Sequence, residues 1–133
     1  MNDRNDDADF SDAFCAFLQS CVGSVNAAEL LLVLWRNPSA VWSVGDLAAA
    51  IDPVGSMSEA EALPYLDTFA ARGLISRMDD GRVSYRFSDD FEAHVQTLAR
   101  LYLERPVTLF RVIYAFRDAK IKTLADAFRI WRT

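Results

Sequence analysis

The stretch Leu66-Asp67-Thr68-Phe69-Ala70-Ala71-Arg72-Gly73-Leu74-Ile75-Ser76-Arg77-Met78-Asp79-Asp80-Gly81-Arg82-Val83-Ser84-Tyr85-Arg86-Phe87 carries the deciding pattern. Its first part has helical spacing, with Leu66, Phe69 and Ala70 on one face, and it stops at Arg72-Gly73. A basic last turn followed by glycine is a helix stop, because glycine takes the left-handed conformation that closes the final turn. Residues 74–78 and 83–87 then read as two short strands. Asp79-Asp80-Gly81-Arg82 joins them as a tight turn, with Gly81 available for positive φ. A helix running straight into a β-hairpin is the expectation.

Upstream, the same helix gains Leu63 on its expected core face and two overlapping capping signals, Ser56-x-x-Glu59 and Ser58-x-x-Glu61. Pro64 lies inside it and removes one hydrogen bond, so the helix is expected either to kink there or to begin near Leu63. Asp52-Pro53-Val54-Gly55 reads as a turn, and Ser43-Val44-Gly45-Asp46 as a capping box opening a helix to Ile51. Ala40-Val41-Trp42 is a short extended piece that can add a third strand. Before it, residues 26–36 form a helix that is apolar on every side, the mark of a buried central helix, with Asn26 as its expected N-cap and Asn37-Pro38 as its end.

Further out, Phe10, Phe14, Phe17, Leu18 and Cys21 recur at helical spacing over residues 10–22, until Gly23-Ser24 breaks them. Residues 1–9 are polar and acidic and are expected to lack fixed structure. Past the hairpin, Ser88 opens a helix with the stripe Phe91, Val95, Leu98 and Tyr102. Pro106 interrupts or restarts it. Residues 107–116 make a further helix, apolar nearly all round, and Ile121, Leu124, Phe128 and Trp131 form a stripe on a terminal helix. The whole is expected to be mainly α with a small β-hairpin. Residues 25–87 form the central domain, and the helices at 10–22 and 88–133 serve packing or dimerisation.

Bulk numbers narrow the classes. With 133 residues and 52% hydrophobic content, a real core is expected. No apolar run is long enough for a bilayer, and the acidic start lacks the apolar stretch of a secretion signal, so the expected address is cytoplasmic. Cys15 and Cys21, six apart on a helix, sit about 120° from a common face and suit two small core residues better than a disulfide. His94 is the chain's single histidine, and no ligand spacing for a metal and no nucleophile–base–orienter set can be assembled around it. No phosphate-binding glycine loop occurs. A non-enzyme without cofactor or metal is expected. The net charge of −5 is uneven. The part up to Ala62 is strongly acidic, and the part from Arg100 is basic.

From Asn26 to Phe87 the order is helix, short strand, helix, turn, helix, strand, turn, strand. That order resembles the winged helix-turn-helix domain of bacterial transcriptional regulators, in particular the MarR-like group. Asp46-Leu47-Ala48, the run Leu66 to Ile75 and the tip Asp80-Gly81-Arg82 are the similar segments. The resemblance implies a domain with flanking helices whose third helix enters the major groove of double-stranded DNA and whose wing arginine reaches phosphates or the minor groove. It makes Arg82 the wing arginine and Asp80 its positioning partner. Arg77 and Arg86 are further hairpin contacts, and Tyr65, Thr68 and Arg72 are contacts on the third helix. It also suggests a homodimer built from Phe10, Phe14 and Phe17 together with Val107, Phe110 and Tyr114; burial within the protomer is the competing reading of those residues.

One feature departs from that family. The exposed side of the third helix carries Glu59 and Glu61, which oppose phosphates rather than attract them. The expectation is a regulatory protein, with DNA binding slightly ahead of a protein-interaction adaptor that uses the same fold without DNA.

Overall fold

The computed structural model describes residues 9–51 and 57–117. Its elements are α1 (Asp12–Phe17, continued by a wider π-type turn over Leu18–Val22), α2 (Val25–Arg36), β1 (Val41–Trp42), α3 (Val44–Ile51), α4 (Glu59–Ala71), β2 (Ile75–Arg77), β3 (Val83–Tyr85), α5 (Glu92–Glu104) and α6 (Pro106–Arg117). The chain is mainly helical with one small antiparallel sheet of order β1-β3-β2. Contacts divide it into two compact units, Asn26–Val95 and the pair of segments Met1–Val25 with Gln96–Thr133. Among the described residues no single helix is long and apolar enough to cross a membrane.

In the Asn26–Val95 unit each boundary has a local cause. α2 begins at Val25, so Asn26 lies inside its first turn rather than capping it. Leu30, Leu31, Leu32 and Leu34 are all buried, as a helix apolar on every side requires. Ser43 opens α3 by accepting the Asp46 N–H at 3.1 Å. Ser58 opens α4 through a complete capping box. Its hydroxyl accepts the Glu61 N–H at 3.2 Å, and the Glu61 carboxylate accepts the Ser58 N–H at 3.0 Å. The expected turn at 52–55 and the alternative cap at Ser56 lie outside the described residues.

One alternative for α4 falls away and one expectation is corrected. The helix starts at Glu59 rather than near Leu63 and contains Pro64. Proline there deprives the Ala60 carbonyl of its partner, and Ala60 is exposed, so water can replace the missing N–H. The buried line is Ala62, Leu66 and Phe69; Leu63 is 43% exposed. Positions 62, 66 and 69 keep the i, i+4, i+7 spacing, so a small alanine takes the inner position.

α4 ends in a Schellman motif. The Leu74 N–H donates to Phe69 O at 2.9 Å and the Gly73 N–H to Ala70 O at 3.1 Å, with Gly73 at φ +77°. Phe69 and Leu74, the two apolar residues that flank such a stop, are both fully buried. In the hairpin, Ile75, Ser76 and Arg77 pair with Tyr85, Ser84 and Val83. β1 adds to the outer edge of β3 through Val41 with Ser84 and Trp42 with Val83. Glu92, in the first turn of α5, accepts from Trp35 Nε1 at 3.0 Å and from the Tyr85 hydroxyl at 2.7 Å. One carboxylate thereby ties α2, β3 and α5.

In the other unit, Ser11 caps α1 by accepting the Phe14 N–H at 3.2 Å, so Phe10 precedes the helix. The Leu18–Val22 turn closes when the Gly23 N–H donates to Leu18 O at 2.8 Å, five residues back, with Gly23 left-handed at φ +74°. Pro106 begins α6, where its missing N–H costs nothing. α6 packs on the Leu18–Val22 turn. Cys15 and Cys21 are both buried and form no disulfide. Asp9, expected within an unstructured start, is held instead. It accepts from Arg100 and from Arg105, each at 2.7 Å, and the Arg105 guanidinium lies 5.6 Å from the centre of the Phe10 ring.

Candidate interaction surface of the helix–hairpin unit

The hairpin turn fixes its own arginine. The Gly81 N–H donates to Met78 O at 2.9 Å and the Met78 N–H to Arg82 O at 2.8 Å, with Gly81 at φ +90°. This is the three-residue loop in which glycine fills the left-handed position. Asp80 then folds over the tip. Its carboxylate accepts the Arg82 backbone N–H at 3.0 Å and the Arg82 Nε–H at 2.7 Å. Those two bonds hold Asp80 below its ordinary carboxylate range, the backbone bond being the stronger cause. The expected partnership of Asp80 with Arg82 is present, and it is local in sequence, two residues apart.

Arg77 has a different neighbourhood. Residues paired across a sheet share a face, so Arg77 lies on the side of Val83, whereas Arg86, two beyond Ser84, lies on the opposite side. The Arg77 guanidinium reaches α4 and meets Asp67 at 2.8 Å. The three hairpin arginines therefore do not form one row. This pairing spans ten positions of sequence, and no local motif announces it.

The exposed part of α4 holds Glu59, Glu61, Leu63, Pro64 and Asp67, with Arg72 at its end. Glu61 is engaged in the capping box. Glu59 lies against Gly45 in the first turn of α3, so close that a methyl group on Gly45 would stand 3.3 Å from Glu59 Oε1. A carboxylate beside the amino end of a helix is favoured by the helix dipole. Tyr65 and Thr68 are half-buried, and the Thr68 hydroxyl donates to Pro64 O at 3.2 Å. Glu61 thus caps the start of α4, and Glu59, Glu61 and Asp67 are all exposed. Over α4 and the hairpin, Glu59, Glu61, Asp67, Asp79 and Asp80 outnumber Arg72, Arg77, Arg82 and Arg86.

The six residues expected at a dimer interface separate into two sets. Phe10, Phe14 and Phe17 are buried in the protomer, with neighbouring ring centres 6.0 and 6.1 Å apart, so they are core and not surface. Val107 and Tyr114 are exposed and Phe110 is half-buried. His94 is half-buried on α5. No family model matches the sequence, and neither the curated proteins nor the solved structures give a match.

Proposed function

We propose that the Asn26–Val95 unit is a winged-helix module of a regulatory protein, and that it acts by contacting another protein rather than DNA. The observation that carries this reading is electrostatic. Duplex DNA is held mainly by Lys and Arg displacing counterions from phosphates. Here the helix in the groove-reading position carries Glu59, Glu61 and Asp67, while Asp67 and Asp80 take up the Arg77 and Arg82 guanidinium groups at 2.8 and 2.7 Å. Leu63 and Pro64 add an exposed apolar patch between those charges. Such a face suits a partner that presents basic side chains around an apolar contact.

A second reading, a DNA-binding transcriptional regulator, is favoured by one observation. Asp80 orients Arg82 at the hairpin tip, where a winged helix makes its phosphate or minor-groove contact. Salt-resolved fluorescence anisotropy with mixed-sequence duplex DNA separates the two. The protein-contact reading expects no binding at low salt. The DNA reading expects affinity that falls with a slope of about −0.9 per phosphate contact on logarithmic axes, and a flatter slope for Arg82→Ala.

A further inference from the structure

α4 is apolar on two opposite sides. Ala62, Leu66 and Phe69 face the core and are fully buried. On the other side Ala60, Pro64, Asp67 and Ala71 are all exposed, spaced four, three and four, with Leu63 beside them. At 1.5 Å per residue that line covers about 17 Å, or roughly three turns. Asp67 interrupts its apolar character, and the Arg77 guanidinium meets that charge at 2.8 Å. A surface helix needs one apolar side to hold its place in a domain; a second, exposed one marks where something docks.

We propose that the occupant is an amphipathic helix of a partner protein, lying antiparallel to α4, with basic residues in its last turn. This rests on the protein-contact reading of the unit and narrows it to one partner shape and one direction. Charge gives the direction. Glu59 and Glu61 flank the line on either side at the start of α4, and Arg72 stands at its end. An antiparallel helix brings its last turn to Glu59 and Glu61 and its first turn to Arg72. Its own dipole favours Lys and Arg in the last turn and Asp and Glu in the first, so the sequence this face selects also forms the better helix. A parallel helix would have to carry its basic residues in the first turn, where the dipole opposes them.

Shape follows from the face itself. A helix uses its backbone hydrogen bonds internally, so α4 offers an extended peptide no ladder to join. A partner helix is likewise satisfied within itself and packs through side chains alone. Ala60 and Ala71 are small, which lets a second axis approach to roughly 8–10 Å. A second copy of this chain is disfavoured, because pairing two α4 faces sets Glu59, Glu61 and Asp67 of each against a single Arg72 of the other.

Titrating the full chain with a synthetic amphipathic helix tests the assignment. The peptide carries a leucine stripe, glutamates in its first turn and lysines in its last. Amide shift changes should concentrate in residues 59–72, and a nitroxide on the last residue of the peptide should broaden the signals of Glu59 and Glu61 rather than Arg72. Replacing the peptide lysines by glutamates should weaken binding about tenfold, and so should Leu63→Ser, at an exposed site of the protein. Absence of binding, shifts away from α4, broadening at Arg72, or affinity indifferent to Leu63→Ser overturns the proposal. So does concentration-dependent mass of the parent alone that Leu63→Ser abolishes, which makes a second copy the occupant. Duplex DNA is titrated alongside. A parent that binds it removes the protein-contact reading itself, whereas a parent inert to both DNA and peptide removes only the helical occupant.

Discussion

Glu92 and Asp9 show how single carboxylates organise their surroundings. Glu92 accepts both the Trp35 indole N–H and the Tyr85 hydroxyl, and burial together with that carboxylate pushes the Tyr85 ionisation up from its ordinary 10.0. Ultraviolet titration should therefore show Tyr85 remaining protonated where exposed tyrosines ionise. Glu92→Ala leaves two half-buried donors without an acceptor. It is expected to destabilise the fold by about 2 kcal/mol, read as a lower denaturant midpoint at unchanged slope. At Asp9, partial burial raises the carboxyl pKa, but the bonds from Arg100 and Arg105 outweigh it, and the net shift is downward from 3.8. A folded-state value below the unfolded one means the clasp stabilises fully above 3.8 and is lost as pH falls through the lower, folded value. Asp9→Asn should flatten the acid limb of a thermal-stability profile and leave its neutral-to-alkaline shape unchanged. The Asp80–Arg82 pair was legible because its partners are two residues apart. Asp67 with Arg77, and Glu92 with Trp35, were not, because only the folded path of the chain brings them together.

Among the elements, α4 is the most instructive. Its end could be read directly from Arg72 with Gly73, whereas its start was left open, because Ser58 with Glu61 overlaps a second capping signal and Pro64 allows a start near Leu63. Its inner face could not be read. Apolar size favours Leu63, whereas the helix turns Ala62 inward with Leu66 and Phe69, and the water-exposed Ala60 carbonyl lets Pro64 remain within the helix. Mutational cost should follow the observed face. Phe69→Ala, at a fully buried site, is expected to cost about 3–5 kcal/mol. Leu63→Ala should cost under about 1 kcal/mol, as a substitution outside the core. Gly73→Ala forces a Cβ into a left-handed residue and should cost about 1–2 kcal/mol. Equal costs at Leu63 and Phe69 in chemical denaturation would refute this assignment. The stripe on α1 teaches a related lesson. Periodicity identified Phe10, Phe14 and Phe17 as one apolar set, but spacing alone does not say whether a neighbouring element or a second protein covers it.

For the molecule as a whole, the order of helices and strands was legible, because glycines, prolines and caps punctuate the chain at nearly every turn. Recognition is harder to read in this way, because it rests on which charges face outward and which are already paired. On the proposed reading, the carboxylates on the exposed side of α4 keep this unit off DNA. The most direct measurement is duplex binding by the triple variant Glu59→Gln, Glu61→Gln, Asp67→Asn. Glutamine at 61 preserves the capping box, and asparagine at 67 releases Arg77 from its ion pair. The parent is expected to stay unbound at low salt, while the variant gains affinity that falls as salt is added. A parent that already binds, or a folded variant that remains inert at every salt concentration, would contradict it.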